Sequence, residues 1–299
     1  MNLHPRRAVY TRAMKNQLKT ILLLGILSAI LIGFGGLLGR GWVVGFTVLA
    51  LAMNLGAYFF SDKLVLKMHR AQPLGEREAP RLHAIVRELS MRAEIPMPRL
   101  FLIPSSQPNA FATGRNPEHG VIAVTDGIIQ LLSERELRGV LAHELAHIKN
   151  RDILVSTIAA AVAGAISFIG NMLQWTAIFG GGSGDDDAPN PFAALVLAIV
   201  APIAATLVQL GISRSREFLA DETGARICGD PEALASALDK LERAAHSVPP
   251  ATHAPATASL FIVNPFSGTR GLVSLFSTHP PMAERIQRLR GMQLVRYAA

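Results

Sequence analysis

Hydrophobic residues along this chain are concentrated in four long runs separated by polar segments. The runs cover about residues 20–38, 42–60, 153–179 and 191–212, and each is near the ~20 residues that a helix needs to cross ~30 Å of hydrocarbon. Only a short stretch around Arg40 separates the first two runs, and residues 180–190 separate the last two. The pattern therefore predicts a mainly α membrane protein with four transmembrane helices arranged as two hairpins.

The polar segments carry shorter patterns of their own. Residues 80–89 show an apolar stripe at helical spacing, while residues 99–103 and 120–125 are strand-like runs bounded by Pro, Gly and Asn. Asp230-Pro231 predicts a helix that runs to about Ala245, and Pro280 or Pro281 opens a last helix to about Arg290. Residues 247–258, rich in Pro, Ala and Thr, predict a mobile loop.

The predicted organisation has four parts. Residues 1–60 form a basic amino terminus with the first hairpin, and residues 153–212 form the second hairpin. Residues 61–152 and 213–299 lie on either side of the second hairpin. We expect these two segments to fold together into one α+β domain with a small sheet, because their combined length is ordinary for one domain.

The composition agrees with a membrane protein, and the positions of Lys and Arg predict its orientation. Hydrophobic residues make up 50% of the chain and charged residues 17%, which is too apolar for an ordinary soluble domain. Lys and Arg flank every run on one side, whereas the connector that contains Asp185, Asp186 and Asp187 has none. Both termini and the folded domain are therefore predicted to be cytoplasmic. This bias also accounts for the net charge of +7 without a nucleic-acid partner.

Cys228 is the only cysteine, which excludes a disulfide framework.

The most specific chemical signal is His143-Glu144-Leu145-Ala146-His147. Residues four apart lie on the same face of a helix, so both imidazoles can reach one metal ion. Neutral imidazole is a preferred ligand of zinc, and Glu144 would stand beside a zinc-bound water. Ser133 and Glu136 fit a capping box that starts a helix before this motif, so the motif is predicted to be helical.

A catalytic zinc site needs about three protein ligands, so one more side chain is required. The candidates are Asp152, Glu217, Asp221, Glu222, His246, His253 and His279. Glu217 is favoured because it follows the end of the fourth run as closely as the two histidines precede the third. Asp221, one turn later, is placed to accept a hydrogen bond from a ligating histidine. The competing interpretation is an exposed acidic face paired with Arg214 and Arg216.

Several stretches together resemble the HtpX-like membrane metalloproteases, which are relatives of the CAAX prenyl proteases. The matching stretches are residues 109–114, 143–152, 213–214, 216–218, 220–221 and 278–281. With the four runs they cover nearly the whole chain. The resemblance implies one zinc ion bound by His143, His147 and Glu217, with Glu144 catalytic. It also implies that Asn109 and His279 lie near the zinc and donate to the developing oxyanion.

The resemblance further implies an endopeptidase of the bacterial inner membrane that degrades misfolded membrane proteins. Two other classes of function compete with this interpretation. A scaffold or chaperone-like binder with a structural zinc site would keep the histidines but would not need Glu144. A transporter would need ionisable residues within its spans, where Asn54 and Gln209 are among the most polar residues. The sequence leaves the oligomeric state open.

Overall fold

The computed structural model describes residues 40–159, 214–247 and 280–292, together with Ile262 and scattered residues between 21 and 36. The fourth predicted run, most of the third, residues 180–190 and His279 lie outside the described residues, and the loop predicted for residues 247–258 does so beyond Ser247. The predictions that concern them stay predictions.

Helix α1 spans Arg40–Met68 and contains the second predicted run. Within its residues Gly41–Met68, an 18-residue window has a mean hydropathy of 1.9 and is hardly buried inside the protein, so the helix is long and apolar enough to cross a membrane. Within the described residues it is the one helix with this property. Asn54 Nδ2 donates to Ser28 Oγ at 2.7 Å and so connects α1 to the preceding run. The count of four spans is not tested by the described residues.

A small mixed sheet follows α1. It contains β1 (Gln72–Pro73), β2 (Arg99–Ile103), β3 (Ala110–Thr113) and β4 (Val121–Thr125), in the order β1-β2-β4-β3. Strands β2 and β4 are parallel, and both outer strands are antiparallel to their neighbours. The sequence pattern predicts β2 and β4 but not β3, because two of the four residues of β3 are alanine, which has weak strand propensity. Pairing with β4 makes β3 a strand.

Six further helices complete the described part of the domain. They are α2 (Pro80–Ala93), α3 (Asp126–Leu131), α4 (Glu134–Lys149), α5 (Arg214–Cys228), α6 (Pro231–Ser247) and α7 (Met282–Arg290). The helices expected after Pro80, Asp230 and Pro281 are therefore confirmed. A short helical stretch, residues 153–159, follows α4 where the third predicted run begins.

Helix α4 lies at the centre of this domain. It packs against α2, α5, α6 and β3, and Leu141 and Leu145 are completely buried. Residues from both sides of the second predicted hairpin, such as Leu82 and Leu238, share one hydrophobic cluster with it.

Two glycines explain how closely the neighbouring helices approach α4. A Cβ atom at Gly224 would come within 2.8 Å of the backbone of His143, and one at Gly139 would come within 2.6 Å of the backbone of Leu234. Any larger residue would force these helices apart. Gly224 therefore allows α5 to pack directly over the turn of α4 that carries the first histidine of the motif.

Candidate metal centre

Helix α4 holds the two motif histidines side by side. The capping box predicted for Ser133 and Glu136 is present at its start, and the helix continues unbroken through both histidines. Their Nε2 atoms lie 3.1 Å apart, and the two rings meet edge to face. The spacing of four residues therefore brings two ring nitrogens together on one face of the helix.

Helix α5 adds a carboxylate to this pair. Glu217 Oε2 lies 3.8 Å from His143 Nε2, and Glu217 Oε1 lies 3.7 Å from His147 Nε2. Ligand atoms bound at ~2.0–2.2 Å to a tetrahedral zinc ion lie ~3.3–3.6 Å from one another. The observed distances of 3.1, 3.8 and 3.7 Å lie on either side of this range, and the group His143, His147 and Glu217 is able to hold a metal ion.

Each histidine has a carboxylate at its second ring nitrogen. Asp221 Oδ1 lies 3.0 Å from His143 Nδ1, and Asp152 Oδ2 lies 3.3 Å from His147 Nδ1. A carboxylate at Nδ1 favours the tautomer that carries its proton there, which leaves the Nε2 lone pair for a metal. Asp221 therefore lies behind His143. Asp152, one of the candidate ligands in the sequence, lies in the same way behind His147.

Burial and charge act differently on the two imidazoles. Burial lowers the pKa of His143, although Asp221 opposes this effect. Burial also acts to lower the pKa of His147, but Asp152 and then Glu217 outweigh it and raise that pKa to about 10. In the metal-free protein, His143 therefore tends to be neutral and His147 tends to be protonated.

Glu144 is buried between the helix and the sheet. Burial raises its pKa to about 8, with His147 opposing the shift and Glu217 adding to it. The carboxylate also accepts a hydrogen bond from the backbone N–H of Ala112 in β3. This contact fixes the side chain at the junction of α4 and the outer strand, one residue away from the first histidine. A carboxyl group with a raised pKa in such a place is suited to accept and return a proton.

The other candidate ligands lie elsewhere or outside the described residues. Glu222 is exposed and forms an ion pair with Arg226, so it is not part of the site. Glu217 and Asp221 are both buried, which contradicts the competing interpretation of an exposed acidic face. His253, His279 and the side chain of His246 lie outside the described residues.

Asn109 is buried just before β3. Its Oδ1 accepts hydrogen bonds from the N–H groups of Ala110 and Ile262, at 2.9 and 3.1 Å. Its own N–H donates to Thr125 Oγ1 at 2.8 Å. These contacts fix Asn109 at the start of the outer strand, and its predicted role toward an oxyanion remains a prediction.

Sequence reasoning missed Arg285, which is completely buried beside the site. Its Nε and Nη2 atoms donate to the two oxygens of Asp221 at 2.8 and 2.7 Å. A signal was present in the sequence, because residues 282, 286 and 289 form an apolar stripe at helical spacing and the charged residue 285 lies on the same face of α7. A charged residue within a buried stripe requires a buried partner.

Comparison with known proteins agrees with the motifs. The model of Peptidase family M48 matches residues 76–293. A protein named Protease HtpX homolog from Syntrophobacter fumaroxidans is 58% identical over 284 residues, which cover 93% of this chain and all of the relative. A second protein of that name, from Pelotomaculum thermopropionicum, is 54% identical over 282 residues with the same coverage of this chain.

Among solved structures, the crystal structure of S. mikatae Ste24p covers 94% of this chain and 67% of its own, with 18% identity and a TM-score of 0.49. The predicted resemblance to membrane metalloproteases is confirmed by the family match and the relatives, and with it the prediction of a protease. Since the family model covers well over half of its residues, the chain belongs to peptidase family M48.

Proposed function

We propose that this protease is a zinc-dependent endopeptidase in which His143, His147 and Glu217 hold one zinc ion and Glu144 is the general base. The observation that supports this most strongly is the convergence of two imidazole nitrogens and one carboxylate beside a buried glutamate. A scaffold with a structural zinc site would not need Glu144, and membership of a peptidase family favours the enzyme.

Zinc bound at this place would polarise the scissile carbonyl and lower the pKa of a water molecule toward ~7. Glu144 takes a proton from the attacking water and delivers it to the nitrogen of the leaving amine. Asp221 and Asp152 keep the imidazoles in the tautomer that presents Nε2. The peptide bond is therefore hydrolysed by water without a covalent bond to the protein. We propose that Asn109 and His279 donate to the developing oxyanion.

The proposed substrates are misfolded or damaged membrane proteins of the bacterial inner membrane. The apolar helix α1 supports a membrane location, and both relatives named above come from bacteria. Strand β3 is an outer strand next to Glu144, so an extended peptide could bind beside it through main-chain hydrogen bonds. Such binding depends little on the sequence of the substrate, which suits a protease that removes damaged proteins.

The direct test is to purify the full chain in detergent and to measure zinc content and cleavage of casein with and without a chelator. Glu144→Gln should keep the metal, because both imidazoles remain. It should lower cleavage by ~10²- to 10⁴-fold or more, because the general base is lost. Near-normal turnover by this variant, or cleavage that resists complete zinc removal, would refute the proposed function.

We further propose that both termini and the catalytic domain face the cytoplasm, with four spans between them. Lys and Arg flank the predicted spans on that side, and residues 180–190 have none. Membrane-impermeant thiol labelling of intact cells should modify Ser183→Cys and spare Ser259→Cys. The buried Cys228 should be replaced by Ala in both variants. The reverse labelling pattern would overturn the orientation.

A further inference from the structure

The guanidinium group of Arg285 contacts two separate parts of the domain outside its own helix. Its Nε and Nη2 atoms bind both oxygens of Asp221 on α5. Its Nη1 atom donates to the carbonyl oxygen of Ile262 at 3.3 Å. The two parallel bonds to Asp221 form a fork, a geometry that arginine provides and lysine cannot.

One oxygen of Asp221 connects this fork to the metal centre. Oδ1 accepts from Arg285 Nη2 at 2.7 Å and lies 3.0 Å from His143 Nδ1. The arginine therefore fixes the position of the oxygen that faces the imidazole. Arg285 also lies close to the carboxylate of Glu217. Its Nη2 atom is 3.8 Å from Glu217 Oε2.

Ile262 extends this connection to the sheet. Its carbonyl oxygen accepts from Arg285, while its N–H donates to Asn109 Oδ1. The same Asn109 oxygen accepts from the N–H of Ala110, the first residue of β3. A continuous set of contacts thus runs from β3 through Asn109, Ile262 and Arg285 to Asp221.

We propose that Arg285 is a positioning residue for the metal centre, which holds Asp221 against His143 so that His143 Nε2 points toward His147 and Glu217. The inference rests on the proposed zinc-dependent function and adds to it a residue that does not touch the metal. Arg285 acts through the geometry of its fork as well as through its charge. Its removal should therefore weaken metal binding even where the fold survives.

The test compares Arg285→Lys and Arg285→Gln with Arg290→Gln in the full-length protein purified in detergent. Arg290 lies on the same helix, but it is exposed and pairs with Glu232, so its replacement is a matched control. The zinc dissociation constant is measured by competition with a chelator, and thermal unfolding of the metal-free protein is followed in parallel. Both Arg285 variants should weaken zinc binding by ~10- to 100-fold, the range found when the support of a metal ligand is removed. Arg290→Gln should leave the constant within ~3-fold of the wild-type value.

Two double variants separate positioning from general stability. If Arg285 acts through Asp221, Asp221→Asn combined with Arg285→Gln should bind zinc no more weakly than the weaker single variant. Asp221→Asn combined with Arg285→Met removes the buried pair without leaving one charge alone, so it is expected to fold even if Arg285→Gln does not. It should still show the ~10- to 100-fold loss of zinc affinity.

Wild-type zinc affinity in a folded Arg285→Lys, or in the Asp221→Asn and Arg285→Met double variant, would overturn the inference. Losses that multiply when Asp221→Asn and Arg285→Gln are combined would do so as well. Failure of the proposed function would be seen separately, because the wild-type protein would then lack zinc binding or chelator-sensitive cleavage.

Discussion

The two histidines of the motif are neighbours on one helix, yet the protein supports them in different ways. His143 depends on distant parts of the chain, because Asp221 belongs to α5 and the arginine that holds it belongs to α7. His147 depends on a local partner, because Asp152 follows it by five residues. We refer to Asp221 with Arg285 as the distant support and to Asp152 as the local support.

Because of this difference, the two supports depend on different parts of the structure. The distant support exists only when α5 is packed against α4 and α7 is packed against α5, so it couples the metal centre to completed folding of the domain. The local support lies where α4 ends and residues 153–159 begin, and Arg151 has a positive φ of 56° at this turn. It therefore couples the metal centre to the direction in which the chain leaves α4 toward the third predicted span.

Removing Glu217, the proposed third metal ligand, should have the largest effect. Glu217→Ala removes a charged ligand that faces both Nε2 atoms, so we expect zinc affinity to fall by more than the ~10- to 100-fold typical of supporting residues. Activity should fall with it. Glu222→Ala is the matched control, because Glu222 lies on the same helix but is exposed. Zinc content and chelator competition measure the effect, and loss of zinc in Glu222→Ala instead would mean that the wrong carboxylate has been assigned.

Breaking each support separately should distinguish them. Asp221→Asn and Asp152→Asn should each weaken zinc binding by ~10- to 100-fold. Asp221→Asn should also lower the free energy of unfolding of the metal-free protein by roughly 3–5 kcal/mol, because Arg285 then keeps its charge in a buried place without its carboxylate.

We expect a smaller loss of stability from Asp152→Asn, since His147 can become neutral and the buried Arg216, the other charge near Asp152, keeps Glu217. Thermal unfolding of both metal-free variants in the same detergent makes the comparison. Equal losses of stability would show that the two supports do not differ in their coupling to folding.

Packing of α5 gives a second way to disturb the distant support, together with Glu217 on the same helix. Gly224→Ala places a Cβ atom against the backbone of His143 and should push α5 away, at a cost of about 1–3 kcal/mol. Asp221 would move with α5, whereas Asp152 would stay behind His147. Gly56→Ala in α1 is the control, because a Cβ there meets nothing within 4 Å among the described residues. Zinc affinity and unfolding temperature of the two variants should separate clearly, and normal values for Gly224→Ala would show that α5 can adjust.

The same distinction between local and distant contacts explains how much of the site the sequence predicts. Local patterns predicted the helix of the motif, its capping box, and the pair of histidines on one face. The choice of Glu217 depended on its distance from a predicted span and on the family resemblance. Arg285 could not be placed from its neighbours in sequence, because its contact with Asp221 joins residues 64 positions apart. Strand β3 was missed for a related reason, since pairing with β4 determines its conformation.

The role of Asp152 was missed although the residue is close in sequence. On a regular helix, an aspartate five residues after a histidine lies about 140° away around the axis and does not face it. Here α4 ends at Lys149, and the turn through Arg151 brings Asp152 back toward the Nδ1 side of His147. Hydrophobic periodicity does not determine where a helix of this kind ends. The sequence therefore indicated Asp152 as a candidate but not its position relative to His147.

The protonation of the two histidines provides the finest test of the comparison. In the metal-free protein the pKa of His147 is raised to about 10, chiefly by Asp152 acting against burial, whereas burial lowers that of His143. At pH 7.5 His147 must therefore lose a proton before it can bind zinc, and His143 need not. Zinc affinity should increase about tenfold for each unit that the pH rises below that pKa, with about one proton released.

Calorimetry in buffers of different ionisation enthalpy measures this release. It is best done with Glu144→Gln, because Glu144 titrates nearby and would otherwise contribute a proton of its own. Adding Asp152→Asn removes the carboxylate that holds the proton on His147, so the release and the pH slope should both decrease. Adding Asp221→Asn should leave them nearly unchanged, since His143 is already neutral. If proton release decreased in the variant with Asp221→Asn but not in the variant with Asp152→Asn, the local support would not control the charge of His147.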